Sequence, residues 1–342
     1  MRILVVRRDN IGDLVCTTPL IAALRQRLPQ AWLGALVNSY NAPVLAGNPD
    51  LDEVVAYTKL KHLESGESAL GALGARLASF WSLRRRGLDC VLLATPGFSP
   101  RLVRLGRWLG AKHVVGFSDA SVASLALDRA VPLAGLEGKH EVERVFALGT
   151  LFGVAGEIPP LKMVPDPAEL EQVRVLLRPQ PGLKVAVHVS ARRPAQRWPA
   201  ERFAALIERL HAEHGASGLL LWSPGPANHP RHPGDDEKAN EIVARVGHAA
   251  PLVAYPTLRL PELIGALAAC DAVVCADGGA MHLAAALGKP IVALFGDSPA
   301  DRWRPWGVRH TVLQPASREV ADITVEEVAA ALGALLRQEA GT

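Results

Sequence analysis

Two α/β domains, each built on a parallel sheet, are what this sequence predicts, and three observations lead there. Short runs rich in Val, Ile and Leu recur from 3–6 to 290–295, most of them separated by helix-length segments. The runs are apolar along their length, as strands covered on both faces are, where half-exposed strands would alternate. One Gly- and Pro-rich stretch, 153–182, divides the series into two similar halves. A length of 342 residues agrees, because a single core stops growing near about 250–300 residues.

In chain order, residues 3–6 form the opening strand and lead through a polar turn, 7–13, into a helix marked by Leu20, Ile21, Leu24 and Leu28. Strands follow at 32–37, 53–57, 90–94 and 114–117. Pro159, Pro160, Pro165, Pro167, Pro179 and Pro181 then bracket one short helical stretch, and the inter-domain linker is placed at 161–182. The alternation restarts with strands at 185–189, 218–222, 252–254, 272–276 and 290–295. Val325, Val328, Ala329, Leu332 and Leu335 then stand at helical spacing in a closing amphipathic helix. The expected organisation is a first domain over 1–160, a second over 183–320 and a C-terminal helix within 321–342.

Composition narrows the function. With 49% hydrophobic and 21% charged residues, the chain lies far from the disordered class. Thirty-seven Lys and Arg against 34 Asp and Glu leave a net charge of +3, so charge gives no reason to expect a nucleic-acid partner. No apolar run reaches the roughly 18 residues of a membrane span, since Asp271 and Asp277 interrupt the longest candidate. Only four apolar residues precede Arg7, too few for a signal peptide. Cys16, Cys90, Cys270 and Cys275 lie in apolar surroundings without a Cys-x-x-Cys pair and read as buried thiols of a reducing compartment. A cytoplasmic protein is expected, with room for peripheral contact with a membrane.

No Gly-x-Gly-x-x-Gly follows a strand and no Gly-x4-Gly-Lys-Ser/Thr occurs, which removes support for the common nicotinamide and ATP loops. Instead Asp277, Gly278, Gly279, Ala280, Met281 and His282 run from a strand into a helix. Glycines there let a phosphate approach backbone N–H groups at a helix N-terminus; the alternative is an ordinary turn with Asp277 as N-cap. The loop 7–13 follows the first strand, at the sheet edge where open α/β folds bind ligands. Asp13 in it is either a general base or a cap of the next helix. Arg192, Arg193 and Arg197 share one loop after the first strand of the second half, and either clamp a pyrophosphate or stand in water.

Three lures remain. His229 and His232 lie in a Pro-broken stretch, 224–234, read as a mobile loop, with no Cys nearby to complete a metal site. Asp50 and Asp52 form an Asp-x-Asp but sit at an Asn-Pro turn before a strand, where acids are common. Arg84, Arg85, Arg86, Arg101, Arg104 and Arg107 concentrate charge in the first half, as a phosphate-seeking surface or, residue by residue, as solvated helix faces.

The combination resembles glycosyltransferase family 9, the ADP-heptose:lipopolysaccharide heptosyltransferases, over nearly the whole chain. The residues that carry the resemblance are the start through Gly12 and Asp13, the segment from Asn48 and Pro49 into Glu53 and Val54, and His140 through Arg144. To these are added Arg197, Trp198 and Pro199, the stretch Asp277 to His282, the triplet Gly288, Lys289 and Pro290, and Phe295 with Gly296. The resemblance implies a GT-B fold, two Rossmann-like domains with parallel sheets facing a cleft, with the acceptor on the first and the nucleotide-sugar on the second. It implies inverting, metal-independent transfer of heptose from ADP-heptose, a co-substrate, to an anionic lipid-linked glycan, with no cofactor.

By the same resemblance Asp13 is the base. Arg7, Asn10, Gly12 and Arg144 face the acceptor, and Asp277 to His282 form the donor-phosphate loop. Where the family often carries a Lys, this chain has Gln196, so the charge on the phosphates falls to Arg192, Arg193 or Arg197. The acidic residue for the ribose is one of Asp235, Asp236 and Glu237, with Glu237 preferred. Another nucleotide-sugar, or a non-catalytic nucleotide-sugar-binding protein, is the alternative.

Overall fold

The computed structural model describes residues 1–57, 69–119, 121, 126–228 and 234–337. It divides into two compact units, Met1–Val164 and Pro165–Thr342. The boundary falls inside the stretch expected to be linker, and residues 165–182 belong to the second unit.

In the first unit the elements run β1 (Arg2–Val6), α1 (Ile11–Val15), α2 (Thr18–Arg27), β2 (Trp32–Asn38), β3 (Glu53–Tyr57), α3 (Ala69–Arg85), β4 (Cys90–Leu93), α4 (Pro100–Trp108), β5 (His113–Ser118), β6 (Arg129–Pro132) and α5 (Glu141–Phe146). All ladders are parallel in the order β3-β2-β1-β4-β5-β6, with Ile3 opposite Leu33 on one side and Cys90 on the other. One face of the sheet presents Leu4, Val6, Leu36, Val91, Leu93 and Val114 to Phe80 and Leu83 of α3 and to Leu102 and Val103 of α4. Burial of each such side chain contributes on the order of 1.5–3 kcal/mol. Gly106 lets α4 lie against that face, since a Cβ there would meet a Val114 methyl at 2.8 Å.

The second unit opens with α6 (Pro167–Leu177), started by Asp166, whose carboxylate accepts the Ala168 and Glu169 N–H groups at 2.9 and 3.2 Å. It continues β7 (Lys184–His188), α7 (Ala200–His214), β8 (Ser217–Trp222), α8 (Asp236–Val246), β9 (Leu252–Pro256), α9 (Leu260–Ala268), β10 (Ala272–Ala276), α10 (Gly279–Ala286), β11 (Ile291–Leu294), α11 (Ala300–Trp303), β12 (His310–Leu313) and α12 (Val325–Arg337). The parallel order is β12-β11-β10-β7-β8-β9. Counted from its own first strand this repeats the first unit: the first strand is central, flanked by the second and the fourth. Between those two neighbours of opposite winding lies the crevice where doubly wound sheets bind ligands.

β6 and β12, the outermost strands on one edge of each sheet, are additions to the expected set. Cys16, Cys90, Cys270 and Cys275 are buried thiols. Among the described residues no helix is long and apolar enough to cross a membrane. His229 and His232 lie outside the described residues.

Candidate active site

In the first unit the expected residues converge at the winding-reversal point between β1 and β4. The chain leaves β1 at Val6, and Arg7, the next residue, is fully buried. Its guanidinium donates to the Ala94 carbonyl just past β4, to Asp13 Oδ1 at 2.6 Å and to Glu141 Oε1 at 2.9 Å, and pairs with Asp9 Oδ2 at 3.1 Å. Burial opposes the charge, and Asp13, Glu141 and Asp9 outweigh it, so the guanidinium is held above its ordinary value. The loop backbone is fixed from β2 and beyond, where Asn38 Nδ2 donates to the Arg8 carbonyl at 2.7 Å and Asn41 Nδ2 to that of Asp9 at 3.2 Å.

Asp13 stands at the third position of α1, and its second oxygen accepts the backbone N–H of Asn10 at 3.1 Å and the Asn10 amide at 3.0 Å. The cap reading of Asp13 is thereby met, since the carboxylate reaches back to close the helix start, and 7% of the residue stays exposed. Every one of these partners donates to the carboxylate, which accepts through both of its oxygens. Arg144 lies beside the cluster, with Nε 3.7 Å from Glu141 Oε2 and Nη1 donating to the Leu136 carbonyl at 2.8 Å. Glu141 was not foreseen. It is fully buried and 134 residues from Arg7; the only signal in the sequence was its position between His140 and Val142 at a helix start.

The Asp-x-Asp is structural. Asp50 pairs with Lys162 at 2.5 Å, while Asp52 accepts Arg25 Nη2 and the Leu33 N–H, each at 2.7 Å. Both carboxylates are occupied in tying the turn to its surroundings.

In the second unit the site again gathers where the winding reverses, between β7 and β10, with β11 contributing. Asp277 follows β10, and Gly278, not Asp277, is the N-cap of α10. Asp277 Oδ2 instead accepts the Gln196 amide at 2.9 Å, and the same amide reaches Ser298 Oγ at 3.0 Å. Burial raises the Asp277 carboxyl above the usual range, with Asp297 adding to it and Ser298, Arg193 and Gln196 opposing. Arg193 bridges to the loop after β11, to Asp297 at 2.8 Å and Ser298 at 3.2 Å. The two loops touch at Gly296, where a Cβ would stand 2.3 Å from the Ala195 carbonyl.

Gly278 is exposed, and a Cβ built there meets nothing of the protein within 4 Å. Neither packing nor backbone angle demands glycine, and room is left at the helix N-terminus for an anion. Gly279 is half-buried as the first residue of α10; Ala280 and Met281 turn their side chains inward, so what they can offer a ligand is backbone N–H, whereas His282, also buried, spends its N–H on the Gly278 carbonyl at 3.5 Å. Arg192 is exposed, and Arg197 Nε donates to the Ala191 carbonyl at 3.1 Å, bracing its own loop.

Of the acidic trio after β8, Asp235 is buried, and Asp236 accepts Trp222 Nε1 at 2.7 Å and the Gly225 N–H at 2.9 Å. Glu237 is exposed in the first turn of α8. Lys238 was also unforeseen. Its Nζ donates to the Val189 carbonyl at 3.1 Å and lies 4.8 Å from the Phe203 ring centre, and burial, relieved in part by Asp235, pushes it down to about 8. Among the described residues no group of His, Cys, Asp and Glu is arranged to hold a metal ion.

Residues 76–329 match the family glycosyltransferase family 9 (heptosyltransferase). Lipopolysaccharide heptosyltransferase 2 of Escherichia coli strain K12 is 27% identical over 99% of both chains. Among solved structures, the glycosyl transferase family 9 protein of Veillonella parvula superposes with a TM-score of 0.84 at 20% identity, covering 98% of this chain and 97% of that one. The E. coli ADP-heptose lps heptosyltransferase II does so at 0.77 and 24% over the full length of both. These likenesses show the GT-B fold.

Proposed function

Because the chain belongs to glycosyltransferase family 9, the heptosyltransferases, and is thereby a glycosyltransferase, we propose that it moves heptose from ADP-heptose to the core of a lipopolysaccharide precursor, inverting the anomeric carbon without a metal. The observation that carries the chemistry is the Asp13 carboxylate, held by Arg7 and Asn10 in a largely buried position that keeps 7% of the residue exposed. An aspartate is ionised at neutral pH, while an alcohol is far less acidic. Asp13 therefore takes the acceptor proton as the new bond forms and not before. The acceptor oxygen attacks the anomeric carbon from the face opposite the diphosphate, the bond to the phosphate oxygen breaks, and its electron pair leaves with ADP. Arg144, beside Glu141, offers the acceptor's anionic groups a cation.

The leaving diphosphate gathers negative charge, which the α10 N-terminus at Gly278 and Gly279, with Arg193 and Arg192, is suited to receive. Gln196 replaces the expected lysine without replacing its charge; it joins Asp277 to Ser298 and so shapes the loop that carries the arginines. Glu237, exposed at the start of α8, is the acid assigned to the ribose. The acceptor is lipid-linked, so the enzyme works in the cytoplasm at the inner face of the membrane.

The test is to incubate purified enzyme with ADP-heptose and a heptose-deficient lipopolysaccharide precursor, following ADP release and the acceptor mass. A gain of one heptose that depends on Asp13 supports the reading. ADP release without an acceptor product, or binding with no turnover, overturns it.

A further inference from the structure

In the first unit, α3 and α4 lie side by side and carry between them no acidic residue from Ala69 to Arg85 or from Pro100 to Trp108. Leu77, Trp81 and Trp108 are exposed on this pair by 51%, 49% and 43%, unusual for side chains of that size on a soluble surface. Their grouping follows from the contacts. Phe80 meets the Trp108 ring edge-on at 6.1 Å, and Arg84, one turn further along α3, donates to the Trp108 carbonyl. The end of α4 therefore sits against the Phe80 and Arg84 stripe of α3, and Leu77, Trp81 and Arg85, spaced four residues apart, form the adjoining stripe. Arg85 lies 5.6 Å over the Trp81 ring, and Arg104 precedes Trp108 by one turn and is exposed.

We propose that this face of α3 and α4 docks on an anionic lipid bilayer. Tryptophan prefers the headgroup layer, where its ring is half in hydrocarbon and its N–H in water, and Leu77 adds apolar area at the same level. Arginines around them meet the negative surface potential of an acidic leaflet, which acts within a Debye length and adds to apolar insertion. The charge selects this partner over a second copy of the chain, because two such faces would bring arginines against arginines. The inference deepens the assignment of a lipid-linked acceptor by naming the surface that meets the lipid. It also stands apart from the identity of the sugar, since docking needs neither donor nor acceptor.

The test uses the full-length protein and sedimentable vesicles of phosphatidylcholine with or without phosphatidylglycerol, in the absence of nucleotide. Binding is expected only to the anionic vesicles and should weaken as salt is added. Replacing Arg84, Arg85 and Arg104 together by Gln should weaken it by roughly fivefold per arginine, about a hundredfold in all, whereas the three Lys replacements should retain most of it. Trp81→Ala with Trp108→Ala should reduce binding at every salt concentration. Unchanged ADP affinity and a cooperative melting transition, lowered by no more than the loss of the Arg84 and Phe80 contacts to Trp108, show that the fold and donor unit are intact in the same variants. Equal binding to neutral vesicles, full binding by the Gln variant, or self-association of the wild type that the Trp variant abolishes would overturn the proposal. A failure of heptose transfer in the activity assay leaves each of these outcomes readable.

Discussion

Arg7 serves Asp9, Asp13 and Glu141 at once, and the consequences are measurable at single residues. Asp13→Asn keeps the shape and loses the basicity, so turnover should fall by about 10²–10⁴ while ADP affinity stays within a few-fold. Steady-state rates and calorimetric titration with ADP check the two halves separately. Glu141 shares the charge of Arg7 and so tempers its pull on Asp13. In Glu141→Gln the guanidinium loses one of its three anionic partners and its hold on Asp13 changes, so kcat/KM should fall several-fold. A stability loss with kcat/KM unchanged would reduce Glu141 to a structural partner. Asp13 was legible in the sequence because its loop follows the first strand directly. Glu141 was not, because buried charge pairs form between residues distant in sequence, and local pattern carries no record of them.

The elements of the proposed donor site are loops leaving adjacent parallel strands, and their geometry turns on two glycines. Gly278→Val should leave the melting temperature unchanged and weaken ADP by tenfold or more, because the added side chain enters only the open space where we propose the phosphate sits. Gly296→Ala acts from behind: its Cβ presses on the Ala195 carbonyl, displaces the loop that carries Arg193 and Gln196, and should weaken ADP while also costing stability. With a helix terminus and arginines supplying positive charge, turnover should persist in excess EDTA; its loss, and recovery with Mg²⁺ or Mn²⁺, would require a different leaving-group mechanism. Ten of the twelve strands among the described residues were readable as apolar runs. β6 and β12 were not, because no residue of either is buried, and half-exposed edge strands lack the continuous apolar signature of the centre. Asp277 looked like an N-cap by position, and tertiary partners from two other loops drew its side chain away from the helix.

Across the whole molecule, pH sensitivity has an identifiable source in the second unit. His188, at the end of β7, is held neutral by burial and by the neighbouring Lys238, its value pushed down to about 4. Unfolded, it titrates near about 6.5. The folded protein thus binds fewer protons than the unfolded chain between those values, so the contribution of His188 is fully present above about pH 6.5 and is lost as pH falls towards 4. The loss amounts to at most about 3 kcal/mol. His188→Asn, which cannot charge, should narrow the difference between urea midpoints near neutrality and near about pH 5; an unchanged difference would place the sensitivity elsewhere.

The shared strand order also has a temporal side. In each unit the strand synthesised first is the one that ends up in the middle, and β1 can pair with β2 early but must wait for β4, where Ile3 meets Cys90. At about 5–20 residues per second a ribosome needs roughly 4–17 s to cover that interval. During it, the nascent chain holds an open edge made of Ile3, Leu4, Val5 and Val6. Such an edge is a template for pairing with another chain. Cells that make this protein slowly therefore depend on chaperones for longer, and slowing translation should lower its soluble yield unless a chaperone covers the edge.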